Sequence, residues 1–108
     1  MIEKKIKKNE DRCALQEILG VIGGKWSMSI IYALFPGTKR FSELERLIPG
    51  INTRMLVKEL KNMETNGIVV RNVYATVPPT VEYTLTTKGA QLEPIINELY
   101  KWGLEYIS

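Results

Sequence analysis

A positively charged stripe between Gly50 and Gly67 is the part of this chain best suited to chemistry, and the chemistry is recognition of a polyanion. In GINTRMLVKELKNMETNG, a period of 100° per residue gathers Leu56, Leu60 and Met63 on one side and Arg54, Val57, Lys58 and Lys61 on the other. Thr53 and Asn62 flank the basic side, and Glu59 lies nearer the apolar one. Asn52 is a favoured N-cap residue, and Gly67 follows the last periodic position, as a helix end requires. A helix anchored by one stripe and cationic on the other suits the major groove of duplex DNA. A solvated surface helix would show some of the same features, so the neighbouring segments decide the reading.

Catalysis finds little support. The 108 residues contain no His and one Cys, and no spacing of carboxylates or thiols resembles a metal or catalytic set. The chain is read as a non-enzyme with no cofactor and no metal. Gly23-Gly24-Lys25-Trp26-Ser27 invites comparison with a phosphate-binding loop, but Trp26 stands where that loop needs Ser or Thr, and Leu19 where it needs its first glycine.

Charge is distributed unevenly. The net charge is +3. Residues 39–71 hold seven Lys or Arg against four Glu, leaving +3, whereas residues 72–108 hold two Lys against four Glu, leaving −2. A basic centre and an acidic tail point to a polyanion-binding middle with a differently employed C-terminus. No apolar run approaches the roughly 20 residues of a membrane helix, and the first residues lack the apolar stretch of a signal peptide. A single cysteine fits a reducing cytosol and excludes an internal disulfide framework.

The elements that position the stripe follow from the periodicity. One domain is expected over residues 1–108, with 1–10 as a mobile arm. A first helix is readable from Asp11 through Leu15, Ile18, Leu19 and Ile22 until Gly23-Gly24 ends it. A second spans about Lys25 to Leu34 and stops at Pro36-Gly37. Lys39-Arg40-Phe41 is long enough only for an edge strand. Ser42 then reads as an N-cap with Glu45 completing a capping box, and Pro49-Gly50 turns the chain into the basic helix. Residues 42–66 therefore form a helix-turn-helix.

From residue 68 the pattern alternates. Ile68, Val70, Asn72 and Tyr74 share one side, and Val69, Arg71 and Val73 the other; Val81, Tyr83 and Leu85 return after the loop containing Pro78-Pro79. Residues 68–86 form a hairpin, which directly after a helix-turn-helix is a wing, with Arg71 as a phosphate contact. Thr86 caps a final helical segment over 87–107, interrupted by Pro94 through a kink or a fresh start near Glu93. The overall class is mainly α with a small β-hairpin, α+β, a winged helix-turn-helix. The apolar stripe Leu92, Ile95, Ile96, Leu99, Trp102 and Tyr106 exceeds what one small domain needs to cover. Leu15, Ile95, Leu99, Trp102 and Tyr106 are the expected homodimer contacts, with the terminal helices forming the interface.

Several separated motifs carry a family resemblance. IGGKW at 22–26, KRFSELERLIPGIN at 39–52, RMLVKELKNMETNGIV at 54–69, VPPTVEYTLTTKG at 77–89 and LYKWG at 99–103 resemble the HxlR-type winged helix-turn-helix regulators, whose broader relatives are MarR-like. The resemblance covers Cys13 to Gly103. It implies a bacterial or archaeal cytoplasmic homodimer that binds double-stranded DNA and controls transcription, each subunit placing one recognition helix in a half-site. Many family members carry a cysteine just before the first helix, and some use it to sense oxidants or electrophiles; here Ala14 follows Cys13 where Pro is usual. Arg12 and a helix N-terminus favour a reactive thiolate, Glu10 and Asp11 oppose it, and burial as a small hydrophobe is the other reading.

The expected contacts divide by role. Arg54 and Lys58 are candidates for base edges, and Thr53 and Val57 for thymine methyls or sugar. Lys61, Lys39, Arg40 and Arg71 are candidates for the backbone. The competing reading is a winged-helix module that docks a protein without specific DNA binding, mildly favoured by Val57 and disfavoured by Arg54, Lys58 and Lys61.

Overall fold

The computed structural model describes residues 8–107, and side chains from Ala14 onward. Six helices and a three-stranded antiparallel sheet follow in the order α1 (Lys8–Ile22), α2 (Ser27–Leu34), β1 (Lys39–Arg40), α3 (Phe41–Leu47), α4 (Thr53–Thr65), β2 (Val69–Tyr74), β3 (Thr80–Leu85), α5 (Thr87–Ala90) and α6 (Glu93–Tyr106). The core is built where these elements meet: Ile30, Ile31 and Leu34 of α2, Leu44 of α3, Leu56, Leu60 and Met63 of α4, and Val69 and Tyr83 of the sheet. This is a mainly α, winged helix-turn-helix fold.

Lys39 and Arg40 do form an edge strand. They pair with Tyr83 and Glu82 of β3, giving the sheet order β1-β3-β2. The hairpin runs in register from Val69 opposite Leu85 to Tyr74 opposite Thr80. Its tip is braced by the Thr76 hydroxyl, 2.6 Å from the Pro78 carbonyl oxygen and 2.8 Å from the Thr80 hydroxyl.

Several boundaries differ from expectation for local reasons. α1 begins at Lys8, three residues before Asp11, and residues 1–7 of the expected arm lie outside the described residues. α2 begins at Ser27 rather than Lys25, with Trp26 in the cap position and the Lys25 ammonium 5.0 Å from the Trp26 ring centroid. The Ser42–Glu45 capping box is not formed. α3 starts at Phe41 instead, and the Glu43 carboxylate accepts the Arg40 backbone N–H at 2.8 Å, because pairing of β1 brings Arg40 to the helix entrance. At Pro94 the chain takes the fresh start: α5 ends at Ala90, and Pro94 sits in the first turn of α6, where its missing N–H has no helical partner to lose.

α6 is only lightly attached to the body. Ile96 is its one buried residue among those described, whereas Ile95, Leu99, Trp102 and Tyr106 are each about half exposed or more. On α1, Leu15, Ile18 and Leu19 are likewise exposed. With these two helices the Cα radius of gyration is 15.6 Å, above the ~13 Å of a compact chain of about 100 residues.

Candidate nucleic-acid interface

α4 is held at both ends by the devices its sequence carries. The Asn52 side-chain oxygen accepts the Met55 N–H at 2.8 Å, closing the N-terminus. At the other end Gly67 adopts φ +73°, its N–H reaching the Glu64 carbonyl at 3.1 Å while the Ile68 N–H reaches the Met63 carbonyl at 2.8 Å. Paired bonds of this kind form a Schellman motif, and buried Met63 and Ile68 supply its apolar contact. Lys88 adds an ammonium to the Asn66 carbonyl at 2.9 Å.

The preceding turn relies on Gly50. Its φ is +87°, a left-handed conformation that favours glycine, while a Cβ there would make only ordinary contact with the Trp26 ring at 3.4 Å. Two side-chain bonds then fix how α4 sits. The Thr53 hydroxyl donates to Glu45 of α3 at 2.6 Å, and the Ser27 hydroxyl of α2, with Ser27 only 2% exposed, donates to Glu59 at 3.0 Å. Glu59 therefore faces the body, and the opposite side of α4 is left to its cations.

On that opposite side Arg54, Val57, Lys58 and Lys61 are all exposed, Val57 at 51%. Among the described residues none of Arg54, Lys58, Lys61 or Arg71 enters an ion pair; the pairs formed are Arg40–Glu82 at 4.0 Å and Lys101–Glu98 at 3.4 Å. The result is a helix with Leu56, Leu60 and Met63 sunk in the core and unpaired positive charge facing water. Thr53 lies at the start of this face, but its hydroxyl is engaged by Glu45.

The remaining candidates are more scattered. Arg71 lies in the stem of the wing, opposite Tyr83, and the tip from Ala75 to Pro79 carries no charge. Successive strand residues point to opposite faces. Lys39 accordingly lines a cleft behind α3, whereas Arg40 turns outward to Glu82. Leu15 lies on α1, and Ile95, Leu99, Trp102 and Tyr106 lie on α6; Cys13 falls in α1, but its side chain is outside the described residues.

Sequence patterning missed the ties between elements. Ser27–Glu59 spans 32 residues, and nothing local marks it. Thr86 was visible as a cap, and its oxygen accepts the Gly89 N–H at 3.0 Å. Its hydroxyl also donates to the Gly67 carbonyl at 2.6 Å, joining the foot of the wing to the end of α4. Among the described residues no helix is long and apolar enough to cross a membrane, and no three His, Cys, Asp or Glu gather as a metal site.

A buried-faced, cation-faced second helix in a helix-turn-helix, followed at once by a wing, defines a winged-helix transcriptional regulator. The chain belongs to the HxlR-like helix-turn-helix family, whose match covers residues 21–108. It is 47% identical over 104 residues to YybR, an uncharacterized HTH-type transcriptional regulator of Bacillus subtilis (strain 168), spanning 95% of this chain and 83% of that protein. It resembles the oxidized form of the redox regulator HypR with a TM-score of 0.83 and 45% identity, over 89% of this chain and 99% of that one. The reduced form of the transcriptional regulator YodB from B. subtilis aligns with a TM-score of 0.77 and 36% identity, over 88% and 93% of the two chains. These relatives are regulators of transcription, and the chain is one too.

Proposed function

We propose that this regulator binds a two-fold DNA operator as a homodimer, with α4 of each subunit in a major groove. The observation that carries the reading is the unpaired cationic face of α4 opposite its buried stripe. Arg54 and Lys58 read base edges, with Val57 and the methyl of Thr53 against thymine methyls or sugar. Lys61, Arg40 and Arg71 hold phosphates; Lys39, turned into a cleft, is the weakest of the backbone candidates. The exposed apolar residues of α1 and α6, among them Leu15, Ile95, Leu99, Trp102 and Tyr106, pair the two subunits. The domain division follows, with 42–66 as the reading head, 68–86 as the wing and 87–107 as the pairing segment.

Titrations on operator and random duplex at several salt concentrations test this. Loss of a base contact removes roughly 1–3 kcal/mol of discrimination, so Arg54→Ala relaxes sequence choice, whereas Arg71→Ala weakens all DNA alike and lowers the salt slope by about one. Equal losses on both duplexes for Arg54→Ala would reject its role as a base reader. A chain that prefers no duplex over bulk DNA would favour the protein-docking reading.

A redox response through Cys13 is a second reading, supported by the likeness to a redox regulator solved in oxidized and reduced forms. With one cysteine per chain, the reaction joins the thiols of two subunits, an added oxidant such as diamide taking up two electrons and two protons. A non-reducing gel of wild type and Cys13→Ser decides it: a diamide-dependent dimer band absent from the variant is the expected result, and no band refutes the intersubunit disulfide.

A further inference from the structure

The far half of the wing differs in chemistry from the cationic face of α4. From Asn72 to Val81 it holds no Lys, Arg, Asp or Glu, so no side chain there can neutralise a phosphate. At the tip Val77 is 100% exposed, more than any other large hydrophobic residue among those described, and Val73 and Tyr74 below it are about half exposed. A single exposed Val is ordinary on a loose surface loop, but this loop is braced.

The bracing runs through Thr76. Its N–H donates to the Tyr74 carbonyl at 2.8 Å, and its hydroxyl lies 2.6 Å from the Pro78 carbonyl oxygen and 2.8 Å from the Thr80 hydroxyl. Pro78 and Pro79 lock two further φ angles. With Thr76 and Thr80 bonded to each other, the tip presents methyl groups and proline rings. The fold has already met much of the ordering cost of a contact made by Val77.

The foot of the wing sets how far that tip reaches. The Thr86 hydroxyl donates to the Gly67 carbonyl at 2.6 Å and the Lys88 ammonium to the Asn66 carbonyl at 2.9 Å, both at the C-terminal end of α4. From this joint six paired residues of β2, at about 3.3 Å each, span about 20 Å. A major groove and its neighbouring minor groove lie about half a helical repeat apart, about 17 Å. With α4 in a major groove, the wing is long enough to bring Val77 to the next minor groove.

We propose that Val77 is a specificity residue that reads DNA by deformation, an apolar wedge that enters the minor groove beside each half-site and partly unstacks one base step. It rests on the operator reading given above and adds to it a contribution that carries no charge. The cost of opening a step depends on the step: pyrimidine–purine steps such as TA yield readily, whereas A-tracts are stiff. Val77 thereby favours operators with a pliable step about five base pairs from the centre of each α4 contact, where no side chain needs to hydrogen-bond a base. Because it neutralises no phosphate, its contribution does not change with salt, unlike that of Arg71.

Operator duplexes carrying 2-aminopurine, which brightens on unstacking, test the insertion when the probe is moved through the flanking positions. Wild type should brighten it about twofold or more at one position beside each half-site, and Val77→Ala should leave it dark. A fully exposed residue allows the variant to fold, which circular dichroism checks. Val77→Ala should also lower operator affinity about tenfold, the worth of two buried methyl groups, with an unchanged salt slope. Replacing the flanking TA step by AA should weaken wild type about tenfold and leave Val77→Ala unaffected. A dark probe at every position, a TA preference that survives Val77→Ala, or a salt slope that falls with the substitution overturns the wedge. Wild-type affinity in Val77→Ala would leave the tip to a protein partner and also overturns it. A chain that brightens the probe on random duplex but prefers no operator would sink the operator reading and uphold the wedge. An operator preference with a dark probe would do the reverse, and a chain that binds no duplex ends both.

Discussion

Replacing Gly89 by Ala tests whether the wing and the recognition helix share one joint. Gly89 is buried on α5, and a Cβ added there would run into the Ile68 carbonyl oxygen, with the Leu85 Cδ2 at 3.1 Å and the Ile68 Cγ2 at 3.2 Å. That oxygen already accepts the Thr86 N–H at 3.0 Å, and Ile68 is the residue that closes the Schellman turn of α4. The methyl group therefore presses on backbone that cannot yield without disturbing the end of α4. Overpacking of this kind costs about 1–3 kcal/mol, and the upper part of that range applies where backbone is the obstacle. Alanine's greater helix propensity returns up to about 1 kcal/mol, leaving a net loss near 2 kcal/mol. Urea unfolding at fixed protein concentration should show a lower midpoint with an unchanged slope. A midpoint equal to or above wild type would refute the close packing of α5 on the wing's foot.

Other perturbations report on separate parts of the assembly. Asn52→Ala removes the N-cap of α4 and should cost about 1 kcal/mol by urea unfolding, with Asn52→Asp close to wild type. Ser27→Ala deprives the half-buried Glu59 carboxylate of its donor, a charged hydrogen bond whose loss costs roughly 1.5–3 kcal/mol; a change below about 0.5 kcal/mol would show the bond to be dispensable. Trp102→Glu places a charge in the exposed stripe of α6 and, on the proposed homodimer, should yield single subunits by analytical ultracentrifugation where wild type is expected to pair. A Trp102→Glu chain that still pairs would move the interface elsewhere.

The parts readable in advance were those governed by residues close in sequence. Asn52, Gly67 and Thr86 each mark a helix end by their own side chain or lack of one, and each acts at the expected place. Alternation from Ile68 onward marks the hairpin, because period-two patterning is visible in the chain itself, and its strands run over Val69–Tyr74 and Thr80–Leu85. Tertiary competition hid the rest. Ser42 and Glu45 have the right spacing for a capping box, yet strand pairing brought Arg40 to the entrance of α3 and gave Glu43 the capping bond. Glu45 was thereby left to take Thr53 instead. Lys39 and Arg40 read as equivalent cations until pairing with β3 turned one inward and the other out. The cleft has no sequence signature, since its walls come from segments more than 60 residues apart, such as Trp26 and Tyr100.

The Glu45–Thr53 bond carries a consequence for how DNA approaches. The first turn of a helix normally attracts phosphate through its open N–H groups and positive dipole. Here Asn52 occupies one of those N–H groups, and Glu45 parks a carboxylate beside the first helical residue. That carboxylate offsets part of the positive end of α4, and on the proposed DNA-binding reading a strand meets the flank through Arg54, Lys58 and Lys61 rather than the open N–H groups. The rod should therefore settle lengthwise in its groove, and weakening the acid with Glu45→Gln should tilt it toward tip-first contact with the nearest phosphate.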